Sequence, residues 1–186
     1  LALLEEKGAD NTSFTPIVAR GENGAMAHYT REDGIVQEQD TVLIDYGCRY
    51  QGYCSDTTRT LFVGKPSEEA LKLYEIVRHS QETGEKAVRP GVTAESVDIA
   101  SRKIIEDAGY GEYFNNRVGH GIGMAIHEAP NIMRGNTELL KPGMAFSIEP
   151  GIYIPGKIGI RVENIVVVTE DGFTPMSLFP RDPVQV

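Results

Sequence analysis

Two runs near the start of the chain, Thr41-Val-Leu-Ile-Asp-Tyr46 and Asp56-Thr-Thr-Arg-Thr-Leu-Phe-Val63, are rich in β-branched, aromatic and other apolar positions. Both read as strands, with Tyr50-Gln-Gly52 as the turn between them and Gly64 as the stop. A helical pattern follows. Ser67 ahead of Glu68 and Glu69 is a capping signature, and the helix it opens runs to about Val88 before Pro90-Gly91 ends it. Thr93 opens a second helix with Val97, Ala100, Ile104 and Ala108 on one face and Gly109 at the expected stop. From Tyr110 onward the pattern returns to strand and loop. Gly119-His-Gly-Ile-Gly123 is glycine-rich, and Ala145–Glu149 and Ile160–Val168 read as strands about a turn at Pro155-Gly156. Glu170-Asp-Gly172 is a tight turn. Strands, then helices, then strands predict an α+β domain with helices against a curved, largely antiparallel sheet.

Composition changes this picture little. The 186 residues are 40% apolar and 24% charged, ordinary for one globular domain, here residues 1–186. No run approaches the roughly 20 apolar residues of a membrane span. Charge is more informative: 18 basic against 27 acidic side chains give −9, with no Lys/Arg cluster, which argues against nucleic acid and anionic membrane as partners. Cys48 and Cys54 are too few for a disulfide framework and are expected to be reduced thiols. The chain opens at Leu1, inside what reads as a helix to Gly8, so it is expected to be a domain excised from a longer protein. With no targeting signal, cytoplasm is the default expectation.

The acidic excess acquires meaning if carboxylates converge. A hairpin turn centred at residues 50 and 51 places Asp45 directly opposite Asp56; a turn at residue 156 places Glu149 opposite Glu163. Opposed like charges destabilise a strand pair, and four buried carboxylates need compensation. Two divalent cations would neutralise them. His120, between two glycines, is available as a fifth ligand, whereas His79 lies on a capped helix and reads as a surface residue. One nitrogen and four carboxylates suit manganese, or cobalt in vitro, better than zinc.

These residues carry a family resemblance. Asp45 and Asp56, Gly119-His120-Gly-Ile-Gly123, His127-Glu128-x-Pro130, Glu149-Pro150-Gly151 and Arg161-x-Glu163-Asn164 resemble the M24 metallopeptidases, the pita-bread family of methionine aminopeptidases, aminopeptidase P and prolidase. The resemblance extends from about Ile17 to Gly172. It implies a pita-bread fold and two metal ions, one bound by Asp45, both bridged by Asp56 and Glu163, the second completed by His120 and Glu149. It implies that Glu149 assists proton transfer and that His28 and His127 are catalytic histidines that contact substrate and shuttle protons.

Gly151-Ile-Tyr153, the Arg161 motif and His28-Tyr29 are similar to the Xaa-Pro branch. That implies a peptide or dipeptide substrate with proline second, with Arg161 among the substrate contacts and Tyr29 or Tyr153 as ring walls. The branch also brings an N-terminal domain that helps form homodimers, and none fits in this chain. Asn116 stands where many Xaa-Pro enzymes have a histidine, and an amide carries no proton at neutral pH. Methionine aminopeptidase is the alternative activity. A non-catalytic pita-bread binding module is the alternative class, but such relatives lose ligands and all five are present.

Overall fold

The computed structural model describes residues 6–26, 29–31 and 34–186. The helix expected over Leu1–Gly8 lies almost wholly outside them, as does His28. The Ser67 hydroxyl accepts a hydrogen bond from Ala70 N and starts helix α1, Glu68–Ala87. Helix α2, Ala94–Asp107, follows from Thr93, whose hydroxyl makes no capping bond. Gly109, at φ +85°, takes the left-handed conformation expected after the helix.

The buried stripe of α2 is Ala94, Val97, Asp98, Ser101, Arg102 and Ile105; of the predicted Val97, Ala100, Ile104 and Ala108 it keeps only Val97. The reason is polar. Ser80 on α1 donates to Ser101 O at 2.7 Å, and Asp98 accepts two hydrogen bonds from Arg102 at 2.8 and 2.9 Å. Gly84 lets the helices close, since a Cβ there would sit 3.1 Å from Ser101 Cβ. Polar side chains that satisfy one another bury as well as apolar ones, so hydropathy alone rotates the face slightly.

The strands among the described residues are β1 (Asn11–Thr12), β2 (Ile17–Arg20), β3 (Thr41–Tyr46), β4 (Cys48–Tyr50), β5 (Tyr53–Cys54), β6 (Thr57–Phe62), β7 (Gly119–Gly121), β8 (Glu128–Ile132), β9 (Ala145–Ile148), β10 (Gly151–Ile154), β11 (Ile158–Arg161), β12 (Asn164–Val168), β13 (Phe173–Pro175) and β14 (Val184–Gln185). Two sheets dominate, ordered β14-β6-β3-β2 and β13-β12-β9-β7-β8, with smaller groups β10-β11 and β1-β4-β5. Every described pairing is antiparallel except β14 on β6. Phe62, Leu73, Tyr74, Val77, Ile105, Phe146, Ile148 and Ile160 form one core between helices and sheets. No helix among the described residues is long and apolar enough to cross a membrane.

Two register findings position the site. Around the turn at Gln51 and Gly52 (φ +49° and +85°), Tyr50 pairs with Tyr53 and Asp45 with Thr58. Asp45 and Asp56 are therefore not directly opposed, as the sequence suggested. They are diagonal neighbours on one face, because a two-residue turn closes one position later than a turn centred at residues 50 and 51. The second expectation holds. One register runs from Ile148–Asn164 to Gly151–Arg161 and sets Glu149 opposite Glu163. The long strand predicted over Ile160–Val168 is broken at Val162-Glu163, where the chain leaves β11 for β12.

Candidate metal centre

Asp45 ends the inner face of β3, and Asp56 enters β6 from the neighbouring arm. His120 is the middle residue of β7, wedged between β8 and β9. Its flanking glycines are steric necessities: a Cβ at Gly119 would lie 1.8 Å from Ser147 O, and one at Gly121 2.2 Å from Ala129 O. Glu149 and Glu163 stand in the gaps between β9 and β10 and between β11 and β12.

Asp45, Asp56, His120 and Glu163 are all buried. Ligand atoms of Asp56, His120 and Glu163 lie within 4.8 Å of one another. His120 Nδ1 sits 3.0 Å from Gly121 O, a carbonyl that can only accept, so Nδ1 carries the hydrogen. Its Nε2 faces Glu149 Oε1 at 3.2 Å and Asp56 Oδ2 at 3.6 Å. Ser147 steadies the group, accepting from His120 N at 3.0 Å and donating to Glu149 Oε1 at 2.9 Å. Thr58 Oγ1 donates to Glu163 Oε2 at 2.6 Å.

Three oxygens in this cluster are buried without a hydrogen-bond partner: Asp45 Oδ1, Asp56 Oδ1 and Glu163 Oε1. Buried carboxylate oxygens are normally satisfied. Burial pushes the Asp56 carboxyl up to about 9, with the Asp45 and Glu149 charges adding to it. Glu163 is likewise raised well above the usual carboxylate range, by burial and then by Asp56, Glu149 and Asp45. Burial also pushes Glu149 up, but the His120 contact, Arg161 and the Ser147 hydroxyl outweigh it and hold this carboxyl below its ordinary value. Orphaned oxygens on mutually repelling carboxylates beside an imidazole nitrogen fit an oxygen-preferring divalent cation.

The sequence places Arg161 among the substrate contacts. It borders the cavity, yet it is 3% exposed and its donors go to Thr58 Oγ1 (3.1 Å), Tyr153 OH (3.0 Å) and Asp45 Oδ2 (2.6 Å). Its geometry holds Asp45. A cavity of about 510 Å³ opens onto Asp45, Asp56, His120, Glu149 and His127. The His127 ring meets the His120 ring edge-on, with centroids 4.3 Å apart. Tyr29 and Tyr153, the expected ring walls, do not line this cavity; its apolar walls are Phe14, Ile17 and Ile126. Tyr29 packs with Ile17, Ala19 and Leu43, and Tyr153 is turned to Arg161. Phe14, Ile126 and Arg117 carry no motif that marks them in the sequence; only the tertiary fold brings them to the site. Asn116 does line the cavity.

Two largely antiparallel sheets, whose strands and strand junctions carry four carboxylates and one imidazole and which pack with two helices, define a domain of the metallopeptidase class with the pita-bread fold. The chain belongs to metallopeptidase family M24, whose family model matches residues 1–170, and divalent metal ions are part of that family's chemistry. It is 48% identical over 172 residues to the Xaa-Pro dipeptidase of Lactobacillus delbrueckii subsp. lactis, covering 92% of this chain and 47% of that protein. Among solved structures it is similar to recombinant prolidase from Thermococcus sibiricus, with TM-score 0.97 and 47% identity, covering 99% of this chain and 50% of that one. It is also similar to X-Pro aminopeptidase from Thermotoga maritima, with TM-score 0.97 and 38% identity, covering 100% of this chain and 53% of the other. The chain thus spans about half the length of the curated relatives it matches.

Proposed function

We propose that this chain is the catalytic portion of a metal-dependent exopeptidase that cleaves Xaa-Pro bonds, with Xaa-Pro dipeptides as the leading substrates and manganese as the favoured ion. The observation that carries the reading is the trio of orphaned buried oxygens on Asp45, Asp56 and Glu163, beside His120 Nε2 and Glu149. Asp45, Asp56, His120, Glu149 and Glu163 would hold two divalent ions, which when bound supply a water of lowered pKa and polarise the scissile carbonyl. Dipeptide substrates are favoured because Xaa-Pro dipeptidases and prolidases are prominent among the relatives.

Each residue then has a task. Glu149, held ionised, accepts the proton that the attacking water gives up and returns it to the proline nitrogen as the amide bond breaks. His127, on the cavity wall against His120, orients the substrate by hydrogen bonding. Arg161 fixes Asp45, and Ser147 fixes both His120 and Glu149. His28 is assigned to substrate on the family motif alone.

Elemental analysis after dialysis against manganese, paired with hydrolysis of an Xaa-Pro dipeptide, tests the reading. Two equivalents per chain and turnover are expected, with Asp56→Ala and Glu163→Ala disturbing both ions and Asp45→Ala mainly one. A folded protein that takes up no metal under any loading condition overturns it.

A further inference from the structure

Arg59 is 4% exposed, does not line the cavity and makes no ion pair with a carboxylate among the described residues, yet all five of its N–H donors find an acceptor. Nη1 donates to Thr58 O (2.8 Å) and to Glu163 O; Nη2 donates to Asn164 Oδ1 (2.8 Å) and Phe179 O (2.8 Å); Nε donates to Pro180 O (2.9 Å). Two of these acceptors belong to the junction where Glu163 leaves β11. At that junction Glu163 N also donates to Thr58 O at 3.1 Å, and the Thr58 hydroxyl grips Glu163 Oε2.

The other side of Arg59 is held by a segment beyond the 170 residues that the family model matches. Phe179 lays its ring 5.7 Å from the guanidinium carbon. Ser177 Oγ accepts from Ile165 N at 3.1 Å, and Arg181 is tied to Gln81 and Glu85 of α1 at 2.8 and 2.6 Å. Glu85 in turn accepts from Asn164 Nδ2 at 2.9 Å. A buried cation desolvated this fully persists only where its geometry is over-determined.

We propose that Arg59, clamped by residues 177–181, is the positioning residue for Glu163: it sets the backbone from which that carboxylate enters the metal centre. This rests on the assignment of Glu163 as a metal ligand. A lysine keeps the charge but cannot present five donors in a plane, so Arg59→Lys separates geometry from charge.

The test measures manganese affinity by calorimetry and the visible absorption spectrum of the cobalt-loaded protein, for wild type, Arg59→Lys, Phe179→Ala and a control, Leu73→Ala. Leu73 is a core residue of α1 that lines no part of the site, and it reports what general destabilisation does. Phe179 is half exposed, so its truncation leaves a folded protein if Arg59→Lys does not. Arg59→Lys should weaken manganese binding at least tenfold and alter the cobalt spectrum. Phe179→Ala should shift both in the same direction by about threefold, and Leu73→Ala should lower the melting temperature with neither change. Wild-type affinity and spectrum in both Arg59→Lys and Phe179→Ala, or an equal loss of affinity in Leu73→Ala, overturns the proposal. Absence of metal binding by wild type overturns instead the metal-centre reading beneath it.

Discussion

Arg161 Nη2 donates to Asp45 Oδ2 across 2.6 Å, while the other oxygen of the same carboxylate is buried with no partner. One oxygen is thus turned to a protein cation and the other left without a partner among the described residues. Burial works against the Arg161 charge, but Tyr153, Asp45, Glu149 and Glu163 outweigh it and hold the guanidinium above its usual range.

Arg161→Met should therefore cost about 3–5 kcal/mol in the metal-free protein, the usual penalty for leaving one member of a buried pair uncompensated. Manganese should shrink the loss, because a bound cation neutralises Asp45. Urea denaturation with and without chelator measures both; a loss below about 1 kcal/mol in the metal-free state would assign Arg161 some other role.

Metal-free stability should fall as pH rises. Asp56 and Glu163 have folded-state pKa values above those of unfolded carboxyls, Asp56 at about 9. The native state then binds protons that the unfolded state has released, so their contribution is full below about pH 4 and is lost as pH climbs through the folded values. The melting temperature in chelator should decline from about pH 5 to about pH 9. Manganese should remove the decline, since ligation requires the deprotonated carboxylates and strengthens with pH. A flat chelator profile would contradict the burial of these two groups.

His127→Ala should lower turnover of Xaa-Pro dipeptides by about 100-fold or more, the range for a lost proton-handling or orienting group. Metal content should stay at the wild-type level, because the His127 ring packs against His120 and is not among the converging ligand atoms of Asp56, His120 and Glu163. Loss of metal along with activity would make His127 a ligand.

Proline in the second substrate position should be worth at least tenfold, about 1.4 kcal/mol of transition-state binding. An Xaa-Pro bond has no N–H at the scissile amide, so recognition falls to shape and to groups that hold the carbonyl. The apolar walls Phe14, Ile17 and Ile126 beside His127 provide such a surface. Paired assays with Xaa-Pro and Met-Ala peptides read the difference directly, and equal or faster cleavage of Met-Ala would move the chain to the methionine branch.

Local chemistry was legible without the fold: the Ser67 cap, the stop at Gly109 and the register that sets Glu149 against Glu163 all follow from nearest-neighbour rules, whereas the first turn, at Gln51-Gly52, falls one position later than the sequence suggested. So did the ligand candidates, because carboxylates repeated in apolar strands are costly unless something neutralises them. Tertiary structure decided what depends on residues far apart in the chain. It gave Asp45 the Arg161 guanidinium as a partner, set Phe14, Ile17 and Ile126 rather than Tyr29 and Tyr153 on the cavity wall, and brought residues 177–181 behind Glu163. Sequence spacing determines which groups can share a strand face or a helix turn. Which donor a buried carboxylate receives is settled only by the packing of strands, because a partner from any other strand satisfies it equally well and the chain carries no local mark of that choice.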